Sequence, residues 1–372
     1  MKKNLLKEFK KVAFVGASVL LSAVFPSQAD ACTGITLKSK DGSMVVARTI
    51  EWGGSYLNSR YAVVPRGYVQ RSYLPGGQKT GLEFKARYGY VGFSVEQEEF
   101  VVEGLNEAGL SAGLFYFPNY GKYEDFDVKK SASSLSDLQL VPWILASFKT
   151  VEEVEQAIKT IHVVASDPRA STVHWRMADA SGRQVVLEIV DGEVHFYENK
   201  LGVLTNAPGF EWHLTNLNNY VNLFPGSAAG KQMEDIDIAP FGGGSGLLGI
   251  PGDFTPPSRF VRAAFFQAYS PKQDRAQGTV RQAFQILNNF DIPLGVVFHD
   301  GEPPVDMPSA TQWTAATDIT NRCIYFRTMY DSKIRSIDLK TIDFSKAAYR
   351  TAPLDKDKEQ PIVPVVIDRV VF

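Results

Sequence analysis

The chain has 372 residues, with 39 basic against 41 acidic side chains, a formal charge of −2 and 44% hydrophobic residues. A balanced charge with no basic run beyond residue 31 argues against a nucleic-acid partner. Beyond the same point no stretch reaches the about 18 to 20 apolar residues of a membrane span, so no stable membrane insertion is expected.

The head of the chain carries Lys2, Lys3, Lys10 and Lys11, then the apolar run Val12 to Phe25, then the small residues Ala29-Asp30-Ala31. This is the pattern of a secretory signal peptide over residues 1–31, with cleavage between Ala31 and Cys32 and a product exported to the periplasm or secreted. What remains, 32–372, is 341 residues and reads as a single domain. The leader's five lysines against Glu8 and Asp30 leave with it, so the net charge moves to about −5. Cleavage makes Cys32 the first residue. A cysteine there joins a nucleophilic thiol to a free α-amine of pKa about 7.7 to 8, a base needing no histidine. Two other readings stand beside it: a cysteine that is there by accident, and a lipid-attachment site, which Asp30 and the lack of a leucine three residues before Cys32 disfavour.

Thr33, Ile35 and Leu37 alternate with small or polar neighbours, and Met44 to Thr49 follows across Asp41-Gly42, which predicts a hairpin. Glu99 to Val102 and Leu110 to Tyr116 read as strands around Asn106-Glu107-Ala108-Gly109. The period then becomes helical over Ser136 to Phe148, and Thr150 with Glu153 forms a capping box for a helix over Val151 to Ile161. Strands are expected at Thr172 to Met177, Gln184 to Val190 and Glu193 to Glu198, separated by Ser181-Gly182 and Asp191-Gly192 turns. Helices follow near Ser258 to Tyr269 and Val280 to Asn289. The last strands are expected at Thr311 to Ala316, Cys323 to Met329 and Ile334 to Asp338. Blocks of strands separated by helix pairs predict stacked sheets with helices outside, an α+β arrangement and not a βαβ alternation.

Familiar cofactor and catalytic signatures fail. Gly244-Ser245-Gly246-Leu247-Leu248-Gly249 matches a dinucleotide pattern by letter, but Pro240 and Pro251 flank it and a loop is expected. The five histidines, His162, His174, His195, His213 and His299, lack the spacing of a zinc site, and no metal is expected. His299-Asp300 has no Gly-x-Ser-x-Gly elbow to serve. Cys323, the only other cysteine, sits among alternating apolar residues and reads as a buried thiol without a disulfide.

Cys32-Thr33-Gly34, Arg48 sixteen residues on, Asn106-Glu107-Ala108-Gly109-Leu110, Leu204-Thr205-Asn206, and Gly249-Ile250-Pro251-Gly252-Asp253 leading to Pro257-Ser258-Arg259-Phe260-Val261-Arg262 occur in this order. Together they resemble the choloylglycine hydrolase family of bile salt hydrolases and penicillin V acylases. The resemblance implies a four-layer αββα N-terminal-nucleophile amidohydrolase, usually a homotetramer, without cofactor. It implies Cys32 as nucleophile, Arg48 beside it favouring the thiolate, Asn206 supplying an oxyanion-hole amide and Arg259 supporting the charge arrangement. Two positions depart from the family pattern. Glu51 stands where many members have an aspartate that holds the α-amine. Tyr116 stands where bile salt hydrolases often have asparagine before Phe-Pro, and its backbone N–H would serve the oxyanion. The implied substrates are glycine- or taurine-conjugated bile salts, with penicillin V or acyl-homoserine lactone amides as alternatives and a bile-acid-binding protein as the non-enzyme alternative. Clusters such as Phe115-Tyr116-Phe117 are expected to supply an apolar pocket.

Overall fold

The computed structural model describes residues 31–167, 171–297 and 309–367. Residues 1–30 of the leader expected over 1–31, and the His299-Asp300 pair, lie outside these. Two antiparallel sheets dominate. The five-stranded sheet runs in the order Ala31–Lys38, Met44–Trp52, Ala310–Asp318, Cys323–Thr328, Arg335–Asp338. The eight-stranded sheet runs Glu193–Glu198, Gln184–Val190, Val173–Ala178, Ser111–Tyr116, Val101–Asn106, Tyr90–Ser94, Arg60–Val64, Arg350–Pro353. Their inner faces interlock: Phe93 of the larger sheet meets Trp313 and Phe326 of the smaller edge-on, with ring centroids 5.4 and 5.1 Å apart. Helix α1 (Leu140–Ser147), followed by α2 (Val151–Ala157), packs outside the larger sheet; α4 (Pro256–Tyr269) and α5 (Ala276–Leu287) pack outside the smaller one. The order helix, sheet, sheet, helix is the αββα arrangement expected.

Local chemistry explains the elements that hold the site. In the first hairpin Asp41 Oδ1 accepts from Ser43 N–H at 3.0 Å, and Gly42 takes the left-handed φ of 86° that the turn requires. Asn106 ends its strand by accepting Leu110 N–H on Oδ1 at 2.9 Å, and its Nδ2 donates to the Leu145 and Phe148 carbonyls, so this turn is tied to α1. Thr150 Oγ1 caps α2 by accepting Glu153 N–H at 3.2 Å, while the Glu153 carboxylate reaches back to Lys149 N–H at 2.9 Å instead of the Thr150 amide.

Several boundaries differ from expectation. The helix read from Ser136 begins only at Leu140, because Ser134–Ser136 is captured as a strand by His162–Val164 and Asp137–Gln139 forms a 3₁₀ turn. The second helix gives way to a 3₁₀ turn after Ala157. The strand expected from Glu99 runs from Val101 to Asn106. The strands Arg60–Val64, Tyr90–Ser94 and Arg350–Pro353 and helix α3 (Phe210–Asn216) were not read from the sequence. Helix α3 exposes Trp212 and Leu214 while burying His213, which erases the apolar stripe that would announce a helix.

The first strand is the edge of its sheet, and its free side is used. Gly34 N–H donates to the Leu204 carbonyl at 2.7 Å and Leu204 N–H returns to Gly34 O at 3.1 Å. This bridge brings the segment after Glu193–Glu198 alongside residue 32. A Cβ on Gly34 would lie 2.8 Å from Phe115 Cζ, so only glycine lets the strand sit this close to the other sheet.

Candidate active site

Cys32 is the second residue of the edge strand, in register with Ile50 and nearly fully buried. Arg48 comes from the neighbouring strand and is wholly enclosed. Its Nη2 lies 2.8 Å from Cys32 Sγ, Nη1 donates to the Leu114 carbonyl at 2.5 Å, and the guanidinium rests 4.1 Å over the Phe115 ring. The Tyr116 backbone N–H also hydrogen-bonds to the Cys32 sulfur. Burial nevertheless raises the Cys32 thiol above its ordinary value, outweighing the downward pull of Arg48, Arg259 and the Tyr116 N–H, while Glu51 pushes it further up. Arg48 pulls the sulfur toward the thiolate, the direction expected from its place in the sequence, and partly offsets the desolvation of the buried thiol.

Asn206 is held from three sides. Its Oδ1 accepts from Cys32 N–H at 2.9 Å and from Arg259 Nη2 at 2.6 Å; its Nδ2 donates to the Tyr116 carbonyl at 2.8 Å. Because the first two partners can only donate, the amide orientation is fixed, and the second Nδ2 hydrogen is left for a ligand. Arg259 lies on the buried face of α4, whose start is set by Pro256 and Pro257 in its first turn. It also donates to the Cys32 carbonyl at 2.5 Å and to Thr33 Oγ1 at 2.9 Å. One arginine thus gathers the first strand and the Asn206 loop. Its own pKa is lowered to about 10 by burial, with Glu51 and Cys32 opposing.

Glu51 stands in register opposite Ala31, is buried, and accepts from Thr311 Oγ1 at 3.2 Å, while its Oε2 meets no hydrogen-bond donor in good geometry among the described residues. Burial pushes its carboxyl up to about 7 against the pull of Arg259 and Arg48. The Cys32 nitrogen, here still an amide joined to Ala31 and standing in for the α-amine, bonds to Asn206 and not to Glu51. Behind the site lie two residues the sequence reading missed. Glu103 sits 3.7 Å from Arg48 Nη1 and accepts from Arg176 Nη2 at 2.7 Å, all three enclosed. Their signal was present: charged letters in the otherwise apolar strands Val101–Asn106 and Val173–Ala178.

The histidines fall into two groups. His174 and His213 are buried beneath Asn206, His174 Nε2 at 3.1 Å from the Thr205 carbonyl and His213 Nε2 at 2.9 Å from the Asn206 carbonyl. His162 pairs with Glu124 at 2.9 Å, and His195 stacks on Tyr197. Cys323 is a free, buried thiol. The segment 244–249 is a loop with one 3₁₀ turn at Ser245–Leu247. The expected aromatic pocket is corrected: Phe115 and Phe117 are fully buried, under Arg48 and against His174, and only Tyr116 is partly open. Two cavities of about 730 and 240 Å³ lie beside the C-terminal strands, the larger lined by residues such as Arg335, Ile337 and Leu354, and neither includes Cys32. Among the described residues no helix is long and apolar enough to cross a membrane.

Stacked antiparallel sheets between helix layers, with Cys32 near the start of the edge strand, define the fold of the N-terminal-nucleophile hydrolases. The chain belongs to the choloylglycine hydrolase family of linear amide C–N hydrolases, whose family model matches residues 32–359. It is 31% identical over 316 residues to a bile salt hydrolase/transferase of Clostridium perfringens, covering 83% of this chain and 92% of that protein. The crystal structure of a conjugated bile acid hydrolase from Clostridium perfringens superposes with a TM-score of 0.77 at 27% identity, covering 90% of this chain and all of the other. A penicillin V acylase structure from Agrobacterium tumefaciens gives 0.71 at 23% identity, over 87% of this chain and 92% of that one, and shares the fold.

Proposed function

We propose that this protein hydrolyses the amide bond of glycine- or taurine-conjugated bile salts through a Cys32 thioester, after export and removal of residues 1–31. The observation that carries the reading is the setting of Cys32: its Sγ lies 2.8 Å from Arg48 Nη2, its nitrogen donates to Asn206 Oδ1 at 2.9 Å, and Asn206 Nδ2 in turn donates to the Tyr116 carbonyl at 2.8 Å. The likeness to the bile salt hydrolase of Clostridium perfringens supports the substrate class.

In this mechanism the freed α-amine of Cys32 takes the thiol proton and the sulfur bonds to the amide carbon. The carbonyl electron pair moves onto oxygen, where the Tyr116 N–H and the spare Asn206 N–H stabilise it, a donor of this kind being worth about 3 to 4 kcal/mol. Collapse breaks the C–N bond as the α-ammonium protonates glycine or taurine. Water, deprotonated by the same amine, then attacks the thioester; the C–S bond breaks and the bile acid leaves.

A second reading, cleavage of penicillin V or a related N-acyl amide, is favoured by Tyr116 in place of asparagine. A side-by-side measurement of kcat/KM decides. Glycocholate and taurocholate are expected at least roughly tenfold above penicillin V, a gap of about 1.4 kcal/mol in transition-state binding, and the reverse order transfers the function to the acylase. We also propose a homotetramer, supported by the exposed apolar residues Met233, Ile236 and Ile238 of the hairpin Lys231–Met233 and Ile236–Ile238. Sedimentation of the purified protein as a monomer would remove that proposal.

A further inference from the structure

The two oxyanion donors belong to different parts of the chain. Tyr116 ends a strand of the larger sheet, and Asn206 sits on the loop before α3. Between them lies His174, on the strand adjacent to Ser111–Tyr116, in register with Phe115 and fully enclosed. Its ring stacks on Phe117, the residue after Tyr116, with centroids 4.3 Å apart and planes 6° off parallel. Its Nε2 donates to the carbonyl of Thr205, the residue before Asn206, at 3.1 Å. Its Nδ1 is 3.1 Å from Glu188 Oε1, which also accepts the Phe210 N–H at 2.9 Å and so anchors the start of α3. From α3, His213 Nε2 donates to the Asn206 carbonyl and its ring stacks on Phe260, beside Arg259.

Resting on the amidase reading above, we propose that His174, held by Glu188, is a positioning residue that sets the separation of the Tyr116 and Asn206 oxyanion donors. A carbonyl oxygen faces Nε2 and a carboxyl oxygen faces Nδ1, so the ring is held at both nitrogens at once. Enclosing such a pair is not an economical way to stabilise a core, since apolar residues of similar volume often do as well or better. Its directional contacts do fix a distance. An oxyanion donor acts over about 2.7 to 3.1 Å, and a displacement of about 1 Å can cost 10²-fold in rate.

The test uses purified protein beginning at Cys32, with His174→Asn and His174→Gln. The asparagine amide falls near Nδ1 and keeps Glu188 while losing Thr205; the glutamine amide reaches the Nε2 position and keeps Thr205. The first readout is the stability of the hemithioacetal that Cys32 forms with ¹³C-labelled phenylacetaldehyde, in which the S–C bond forms and the new oxygen occupies the oxyanion position. The second is the rate of alkylation by iodoacetamide, which places no oxyanion there. His174→Asn is expected to weaken the hemithioacetal at least fivefold and to lower kcat at least tenfold with KM within threefold, at an unchanged alkylation rate. His174→Gln recovers most of both losses. An unweakened hemithioacetal in folded His174→Asn, equal impairment of both variants, a parallel fall in alkylation, or no hemithioacetal on the unmodified protein each overturns the proposal. If His174→Asn does not fold, Glu188→Ala is expected to weaken the hemithioacetal at least twofold, and no change overturns the proposal. Failure of the bile-salt reading shows separately, as hemithioacetal formation by a protein that hydrolyses neither glycocholate nor taurocholate.

Discussion

Arg48 places its Nη2 2.8 Å from the sulfur of Cys32, yet the thiol titrates above its ordinary value. The charge count around it explains why both hold. Arg48, Arg176 and Arg259 are enclosed with Glu51 and Glu103 as the enclosed carboxylates beside them. With both carboxylates ionised the group carries one surplus positive charge, which a thiolate would neutralise. That surplus pulls toward the thiolate, while desolvation of the buried sulfur works against it.

Cys32→Ala is expected to abolish hydrolysis while leaving the fold and bile-salt binding nearly intact, since the side chain loses one atom and Arg48 keeps its bond to the Leu114 carbonyl. Cys32→Ser should be severely impaired. Turnover measured with glycocholate, alongside Tm, checks this; more than a few per cent of unmodified activity in the alanine variant excludes Cys32 as the nucleophile.

Replacing Arg48 by leucine removes the positive charge beside the sulfur and leaves Glu103 with Arg176 alone. The pH profile of iodoacetamide alkylation should shift upward, since the guanidinium that favours the thiolate is gone. Stability should fall by about 3 to 5 kcal/mol, as for breaking a buried charged network. An unshifted alkylation profile in folded Arg48→Leu shows that the guanidinium does not tune the thiol.

Glu51 gives a pH-dependent prediction. Its carboxyl is raised to about 7 from an ordinary 4.5, with burial the largest cause. The folded state therefore binds its proton more tightly than the unfolded chain. That contribution is complete below about pH 4.5 and is lost as pH rises through about 7, where a buried carboxylate forms. Glu51→Gln stays neutral throughout. It should match the unmodified protein near pH 4.5 and become relatively more stable above pH 7, on the order of 3 kcal/mol from the shift alone. Denaturant titrations of both proteins from pH 4.5 to 8 measure the difference, and a flat one means an ordinary carboxyl.

A protein retaining one residue before Cys32 should be folded but inactive, because its nitrogen is an amide and not a base. N-terminal sequencing and mass spectrometry identify the species, and a burst titration counts active sites. Full activity from the extended protein requires a different base.

Cys32, Arg48, Asn206 and Arg259 were legible because each lies in a short run of characteristic neighbours, and the structure gathers all four within hydrogen-bonding reach of one another's partners. Their support was not. Glu103, His174, Arg176 and Glu188 are single polar letters in strands whose other members are mostly apolar, and only the pairing of strands far apart in sequence shows that they meet. The alternation of Thr33, Ile35 and Leu37 revealed a strand, but not that its open edge would be closed by Leu204. Phe115 and Phe117 misled for the related reason that an aromatic cluster reads the same whether it lines a pocket or underpins one.

Ala31 continues the first strand opposite Glu51 and is only 6% exposed. A peptide bond running through a closed sheet offers a protease no extended, accessible segment. For a chain trimmed between Ala31 and Cys32 by a separate peptidase, the two events have an order in time: the cut comes while this stretch is still unpaired. A molecule that closes its sheet first is left as a precursor, complete in every other contact and lacking the one proton acceptor that trimming would have given it.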